Sequence, residues 1–306
     1  MSRSNPLRAA RALSRSALAV PAARRAIKER GAQAVMGGGG YVAAPAGLAA
    51  LAMRLPLVLS EADRHLGLAN RALASRATRV CLAFEMEGRE PPRYRVTGRP
   101  VPAAIFEASR QAAREHFGIA ADDRCLLVFG GSLGALSVNT AALDGLLGPA
   151  TREFHVLHIT GRRDYEMAKG RLAELGGPDR YTLVEWEPGL ADALAASDLA
   201  LARSGGSVFE LAAAGVPGIL VPYPYAAGLH QHANAEWMSE AGAAITVEDS
   251  DLTGELLARL AGEILGDANR LKAMSEAARG LSLPNAAADI AGELLSAIRQ
   301  GAETDG

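Results

Sequence analysis

"LALARSGGSVFELAAAGVPGILVPYP", residues 199–224, is the stretch that decides the fold. Leu199–Ala202 form a continuous apolar run, the pattern of a strand buried on both faces. Gly205 and Gly206 then turn the chain into a helical segment, "SVFELAAA". Gly215 and Pro217 end that helix, because glycine takes the left-handed cap and proline cannot continue it. "GILVP" is a second apolar strand. Two strands joined through a helix lie parallel, so the unit predicts a parallel sheet covered by helices.

The same alternation extends in both directions. Upstream, "CLLVFG" precedes a helix near 134–146, "FHVLHIT" a helix near 164–174, and "TLVEW" a helix near 189–196. Downstream come a helix near 231–241, the strand "AAITV" and terminal helices. An earlier series holds the strand "QAVM", a helix near 46–54, "PLVLS", a helix near 66–76, "RVCLAF", "YRVTG" and a helix over about 103–116. Gly98, Pro100 and Pro102 cluster between the two series and mark a boundary. At the N-terminus, Asn5 and Pro6 suit the start of one helix and Pro21 the start of a second. The expectation is an α/β chain of two Rossmann-like, doubly wound domains. The first has only about four strands and some 100 residues, short for a complete doubly wound sheet.

Bulk properties agree with a soluble globular chain: 306 residues, 49% hydrophobic, 22% charged, formal charge −2. No global attraction to nucleic acid follows. Residues 1–30 nevertheless carry eight basic groups and one acid, against 24 basic and 33 acidic groups in the rest. Such asymmetry suits an acidic partner such as a membrane surface. No 18-residue apolar run exists, so no transmembrane helix is expected. Cys81 and Cys125 sit in strand-like runs and read as buried, reduced thiols.

Several motifs carry chemistry. "VFGGSLGALSVN", residues 128–139, is a strand, a glycine turn and a helix start, where backbone N–H groups and the helix dipole favour an anion. Gly130–Gly134 also spell the G-x-S-x-G of a hydrolase nucleophile elbow, with Asp198 and His230 as later partners. Glu210 lies near a glycine helix start, where a carboxylate can accept two hydrogen bonds from a ribose diol. "GLHQHANA", 228–235, offers His230, Gln231, His232 and Asn234. Two histidines make a poor metal site, and hydrogen bonding to a polyhydroxylated ligand fits better. "DSD", 249–251, looks like a metal-binding Asp-x-Asp, but Ser250 or Asp251 is better placed to cap the next helix.

Taken together, "GGGGYVAAP", "LVLSEADRHLGLANR", "TGRPV", "VFGGSLGALSVN", "ARSGGSVFELAAAGVP" and "HQHANAE" resemble, in order and spacing, the MurG family of UDP-N-acetylglucosamine–lipid I transferases. The resemblance runs from residue 5 to about 295. It implies a GT-B fold with a partial acceptor domain at 1–98, a UDP-GlcNAc-binding domain at 99–285, and a C-terminal helix and tail at 286–306 packing back on the first domain. It implies inverting transfer of GlcNAc to the MurNAc C4 hydroxyl of lipid I, in peptidoglycan synthesis and hence cell shape and division, with no cofactor and no metal. Gly131, Ser132 and Gly134 would contact the donor. Gly205, Gly206 and Ser207 would line the diphosphate, and Glu210 would hold the ribose. Backbone at Trp186 and Glu187 would meet the uracil, and His230 and Gln231 the sugar. Arg203, Val208, Phe209 and Asn234 complete the donor set. Gly39, Gly40, Tyr41, Glu61, Asp63 and Arg99 would face the acceptor. Implied partners are UDP-GlcNAc, undecaprenyl-pyrophosphoryl-MurNAc-pentapeptide, an anionic membrane and other cell-wall synthesis proteins. The implied location is the cytoplasmic side of the cell membrane, held peripherally.

The chain departs from the family's pattern in places. Ser60-Glu61-Ala62-Asp63 stands where His-Glu-Gln-Asn is usual, Pro102 where an Arg is common, and Leu133 where a Gln is common. The family also opens with a GGTGGH loop whose histidine is the favoured general base, and no such loop lies upstream here. The catalytic base is therefore unassigned. The expectation is a truncated gene model, a late start codon, or a first domain completed by a separate polypeptide. Two rivals stand beside transfer: a UDP-sugar-binding module that does not catalyse, and a UDP-GlcNAc 2-epimerase on the same fold.

Overall fold

The computed structural model describes residues 6–131, 134–147, 153–174, 176–226 and 230–304, with the backbone alone at 6–17, 41 and 302–304. The chain divides into two compact units, Met1–Pro100 with Leu283–Gly306, and Val101–Ser282. Both are parallel-sheet α/β structures.

The first unit starts with helix α1 (Pro6–Glu29). Two helices were expected here, but one continuous helix carries Pro21 inside it. Loss of one backbone donor does not end a helix that packs along its neighbour α2 (Gly40–Ala52). Strands β1 (Val35–Gly37), β2 (Leu57–Glu61), β3 (Arg79–Leu82) and β4 (Tyr94–Val96) form a parallel sheet in sequence order, with α3 (Leu68–Leu73) between β2 and β3. Leu57, Leu59, Val80 and Leu82 fill one face with Leu73 of α3. Val58 and Cys81 pack on the other face against Ile290 and Ala297 of the last helix, α13 (Ala286–Thr304). Glu293 of α13 pairs with Arg79 at 2.9 Å and Arg95 at 3.5 Å.

The second unit opens with α4 (Ala104–Glu107) and α5 (Arg110–Phe117). One helix was expected over this span. The extended Ala108 breaks it, and the Ser109 hydroxyl accepts from the Ala112 N–H to start a new one. Six parallel strands follow: β5 (Cys125–Phe129), β6 (His155–Ile159), β7 (Tyr181–Val184), β8 (Leu199–Ala202), β9 (Gly218–Leu220) and β10 (Ala244–Thr246). Their order is β10-β9-β8-β5-β6-β7. This is the doubly wound order, with its switch point between β5 and β8. Helices α6 (Leu136–Leu146), α7 (Tyr165–Glu174), α8 (Ala191–Ala196), α9 (Ser207–Ala214) and α10 (His230–Glu240) make the crossovers. α11 (Gly254–Gly266) and α12 (Ala268–Gly280) close the unit. The cap of α11 is Thr253, whose hydroxyl accepts from the Leu256 N–H, rather than Ser250 or Asp251.

Both cysteines are free and buried, and burial raises the Cys81 thiol to about 11 and Cys125 to about 12.

A buried ion pair ties α5 to the N-terminal edge of this sheet. Arg114, 4% exposed, donates to Asp198 at 2.9 Å and to the carbonyls of Ala120, Ala121 and Ala196. Asp198 also accepts the Cys125 N–H at 2.9 Å. Arg114→Ala strands these acceptors, and we expect a loss of about 3–5 kcal/mol. Urea unfolding followed by tryptophan fluorescence measures it, since Trp186 and Trp237 both lie in this unit. A loss below about 1 kcal/mol would contradict the assignment.

Candidate functional site: a cavity at the strand ends of the second unit

At the C-terminal ends of the second unit's strands lies a cavity of about 1090 Å³. This is where an open α/β sheet binds ligands, outside the strand ends at the switch point. Three chain segments supply most of its lining.

The first is the glycine turn after β5. Gly131 and Gly134 have φ of +89° and +79°, and a Cβ on Gly134 would overlap the Thr160 carbonyl oxygen. Both glycines line the cavity. They hand the chain to α6, whose first amides have no partner within the helix. Ser132 and Leu133 lie outside the described residues.

The second is the turn after β8. Gly205, Gly206 and Ser207 line the cavity, and Glu210 does so from the first turn of α9. Buried Asn234 donates to the carbonyls of Ser204 at 3.0 Å and Gly205 at 3.4 Å, so it holds the turn from behind. Val208 and Phe209 are buried, and the Phe209 ring stacks on Trp237 at 5.1 Å. Any contact of theirs with a ligand must come from the backbone.

The third wall runs from β7 to α8. Trp186, 42% exposed, and Glu187 line it, and the Arg162 guanidinium lies 5.1 Å over the Trp186 ring. His230 starts α10 and is not among the lining residues. Gln231 is, and its side-chain oxygen accepts the Tyr223 N–H at 2.9 Å.

Arg203 is the best-held cation here. It donates to the Val221 and Pro222 carbonyls and to Ser137 at 2.7 Å, and it pairs with Asp249 at 2.6 Å. Its guanidinium also lies 5.5 Å over the Tyr223 ring. Asp249 is thus an ion-pair partner of Arg203 and also accepts from the Ser137 hydroxyl at 2.6 Å. Sequence reasoning missed Ser137, Tyr223 and Arg163, which also line the cavity. Among the described residues, no group of three His, Cys, Asp or Glu side chains is placed to hold a metal ion.

In the first unit, Gly39 and Gly40, with φ of +82° and +71°, lead into α2 from the C-terminal end of β1. Tyr41 is described by its backbone alone. Glu61 ends β2, buried, and accepts from Gly67 N–H at 2.8 Å, Asn70 Nδ2 at 2.9 Å and Asp63 N–H at 3.2 Å. It therefore staples the loop that holds half-buried Asp63. Arg99 follows β4 on the same edge of the sheet. Asn70, fully buried, has its Oδ1 without a partner and lies beside Gly39. It was legible within "GLANR" but carried no signal of its own.

Residues 125–292 match the glycosyltransferase family 28 C-terminal domain, and residues 2–82 match its N-terminal domain. A curated relative in Moorella thermoacetica is 39% identical over 87% of this chain and 74% of its own length. That relative is a UDP-N-acetylglucosamine–N-acetylmuramyl-(pentapeptide) pyrophosphoryl-undecaprenol N-acetylglucosamine transferase. The chain belongs to glycosyltransferase family 28, in its MurG branch. Within this family, a crystal structure of Acinetobacter baumannii MurG superposes with TM-score 0.73 at 30% identity, covering 91% of this chain and 77% of that one. A Neisseria meningitidis UDP-GlcNAc 2-epimerase reaches TM-score 0.66 at 14% identity, over 97% of this chain and 84% of that one. The second likeness is one of fold alone.

Under the glycine turn, burial pushes His158 down to about 3, so it is neutral. The unfolded chain takes up a proton near pH 6.5 that the folded one refuses until about pH 3. Stability should therefore fall on acidification through this window, by about 1.4 kcal/mol per pH unit from this group. Asp164, held below the usual carboxylate range chiefly by its hydrogen bond from Arg163, adds to the acid loss only at lower pH. His158→Gln should remove that slope in urea unfolding between pH 6 and 4.5. An unchanged slope would contradict a buried neutral imidazole.

Proposed function

We propose that this protein is the inverting glycosyltransferase that moves GlcNAc from UDP-GlcNAc to the MurNAc C4 hydroxyl of lipid I, forming lipid II. The observation that carries the proposal is the cavity at the switch point of the second unit, in a chain of this family. Two helix starts, α6 and α9, open into it with Arg203 between β8 and α9. Backbone N–H groups and aligned helix dipoles there meet the diphosphate. Glu210 accepts from the ribose hydroxyls, the Trp186–Glu187 segment meets the uracil edge, and Gln231 serves the sugar. The acceptor hydroxyl gives its proton to a general base, to which no residue of this chain is assigned, as its oxygen bonds to C1 from the face opposite the diphosphate and the bond from C1 to the diphosphate oxygen breaks. The electron pair leaves with UDP, whose developing charge the same N–H groups stabilise without a metal ion.

The acceptor face is assigned to the C-terminal edge of the first unit's sheet, at Gly39, Gly40, Tyr41, Glu61, Asp63 and Arg99. Purified protein, UDP-[14C]GlcNAc and a lipid I analogue test the reaction directly. Labelled lipid II is the expected product. Glu210→Ala should weaken UDP-GlcNAc binding by roughly tenfold or more, the loss expected for a charge-assisted hydrogen bond. Equal binding by both proteins would place the nucleotide elsewhere. Conversion of UDP-GlcNAc to its C2 epimer without lipid acceptor would favour the epimerase chemistry instead.

We also propose a peripheral seat on the cytoplasmic face of the cell membrane, near other cell-wall synthesis proteins. No helix among the described residues is long and apolar enough to cross a membrane. Support comes from the basic end of α1, where Arg24, Arg25, Lys28 and Arg30 are exposed. Exposed apolar side chains on the same unit, Leu18, Val42 and Leu68, suit an interface. Each basic group near an anionic surface contributes about 1 kcal/mol. Neutralising Arg24 and Arg25 to Gln should weaken binding to phosphatidylglycerol vesicles roughly 30-fold in sedimentation, at unchanged UDP affinity. Equal binding to zwitterionic vesicles would sink this seat.

A further inference from the structure

Behind the glycine turn runs a buried chain of polar side chains that the reaction scheme leaves unused. Its members come from α6, β6, β7 and the loop after β6, and end at the cavity. Asn139 of α6 donates through Nδ2 to the Thr160 carbonyl at 2.9 Å and to Asp164 Oδ2 at 2.8 Å. Both partners are acceptors only, so the amide orientation is fixed. Asn139 Oδ1 must then accept from His158 Nε2, 3.0 Å away. His158 is neutral, so its Nδ1 is an acceptor and takes the Tyr181 hydroxyl proton at 2.7 Å. Every hydrogen bond in the chain has one permitted direction. Asn139 and His158 are fully buried.

The outward end of this chain is Asp164, whose side chain is 7% exposed. Its two oxygens accept from Arg163 Nε at 2.8 Å and Nη2 at 3.0 Å, a fork that fixes the guanidinium plane. The Arg163 side chain is 58% exposed and lines the cavity, and among the described residues its Nη1 has no protein partner. The carboxylate thus stands behind and the cation in front. Asp164 Oδ2 would lie 3.2 Å from a Cβ on Gly134, which places the pair against the turn that starts α6.

We propose that Arg163 is a donor-site residue that hydrogen-bonds the nucleotide diphosphate at the start of α6, and that Asp164 is its positioning residue, held in turn by Asn139 and His158. This rests on the donor-site reading above. A guanidinium free to rotate would lose side-chain entropy on meeting a phosphate, whereas one already forked onto a buried carboxylate has lost most of it beforehand. A solvated arginine with no ligand is the competing account, and a thermodynamic cycle separates the two.

Calorimetry with UDP and with uridine is run on the wild-type chain, Arg163→Ala, Asp164→Asn and the double variant, each checked by urea unfolding. Arg163→Ala should weaken UDP about tenfold or more while changing uridine less than twofold. Asp164→Asn should weaken UDP several-fold in the wild-type background and less than twofold further when Arg163 is already alanine. Any of three results overturns the proposal: UDP affinity within twofold in Arg163→Ala, equal losses for UDP and uridine, or an Asp164→Asn loss that is the same in both backgrounds. If the wild-type chain binds neither UDP nor uridine, the donor-site reading itself falls, and this inference with it.

Discussion

The cavity depends on a backbone contact that admits no side chain. At Gly130 a Cβ would overlap Ala135, and at Gly134 one would overlap the Thr160 carbonyl. The turn after β5 therefore packs directly against the loop after β6. That contact fixes where α6 begins, and so where its unpaired amides point. It also brings the turn within reach of Asp164. The switch point between β5 and β8 provides a crevice, but this close approach gives the crevice one wall of oriented N–H donors.

Strand–helix alternation was plain in the sequence because parallel strands buried on both faces are written as unbroken apolar runs. "CLLVF" and "LALA" became β5 and β8 close to their expected bounds. The glycine turns were equally legible, since strand, glycine and helix follow within a dozen residues. Side-chain partnerships across the sheet were not. Asp249 pairs with Arg203, 46 positions away in sequence, and looked locally like half of a metal-binding Asp-x-Asp. Thr253 took the cap because its hydroxyl, rather than the Ser250 hydroxyl or the Asp251 carboxylate, meets the third helical amide. The Arg163–Asp164 pair carried no motif at all. Its meaning comes from Asn139 and His158, which pattern reading files as one residue of a helix and one of a strand.

The two units treat a buried carboxylate differently. Glu61 in the first is satisfied by two backbone amides and one side-chain amide. No cation is needed, and the result is a rigid loop at the sheet's edge. Asp164, buried, and Asp249, half-buried, in the second each face a guanidinium. Neutral donors make Glu61 a staple, while the arginines turn the other two carboxylates into mounts for charge.

That pairing bears on how the proposed nucleotide site works. Arg163 and Arg203 both line the cavity, and each is backed by its own carboxylate. Glu187 and Glu210 add negative charge to the lining. The cavity is therefore not a sink of positive potential. Discrimination for a diphosphate must come from direction: helix-start amides and fixed guanidinium edges that a phosphate oxygen meets at short range. A site of that kind recognises an anion without a large net attraction, which suits an enzyme that must release a charged nucleotide each turnover. Replacing either aspartate by a neutral residue raises the local charge while loosening the arginine. Position and charge are thereby separated: if positioning governs binding, the added positive charge does not compensate for the lost geometry.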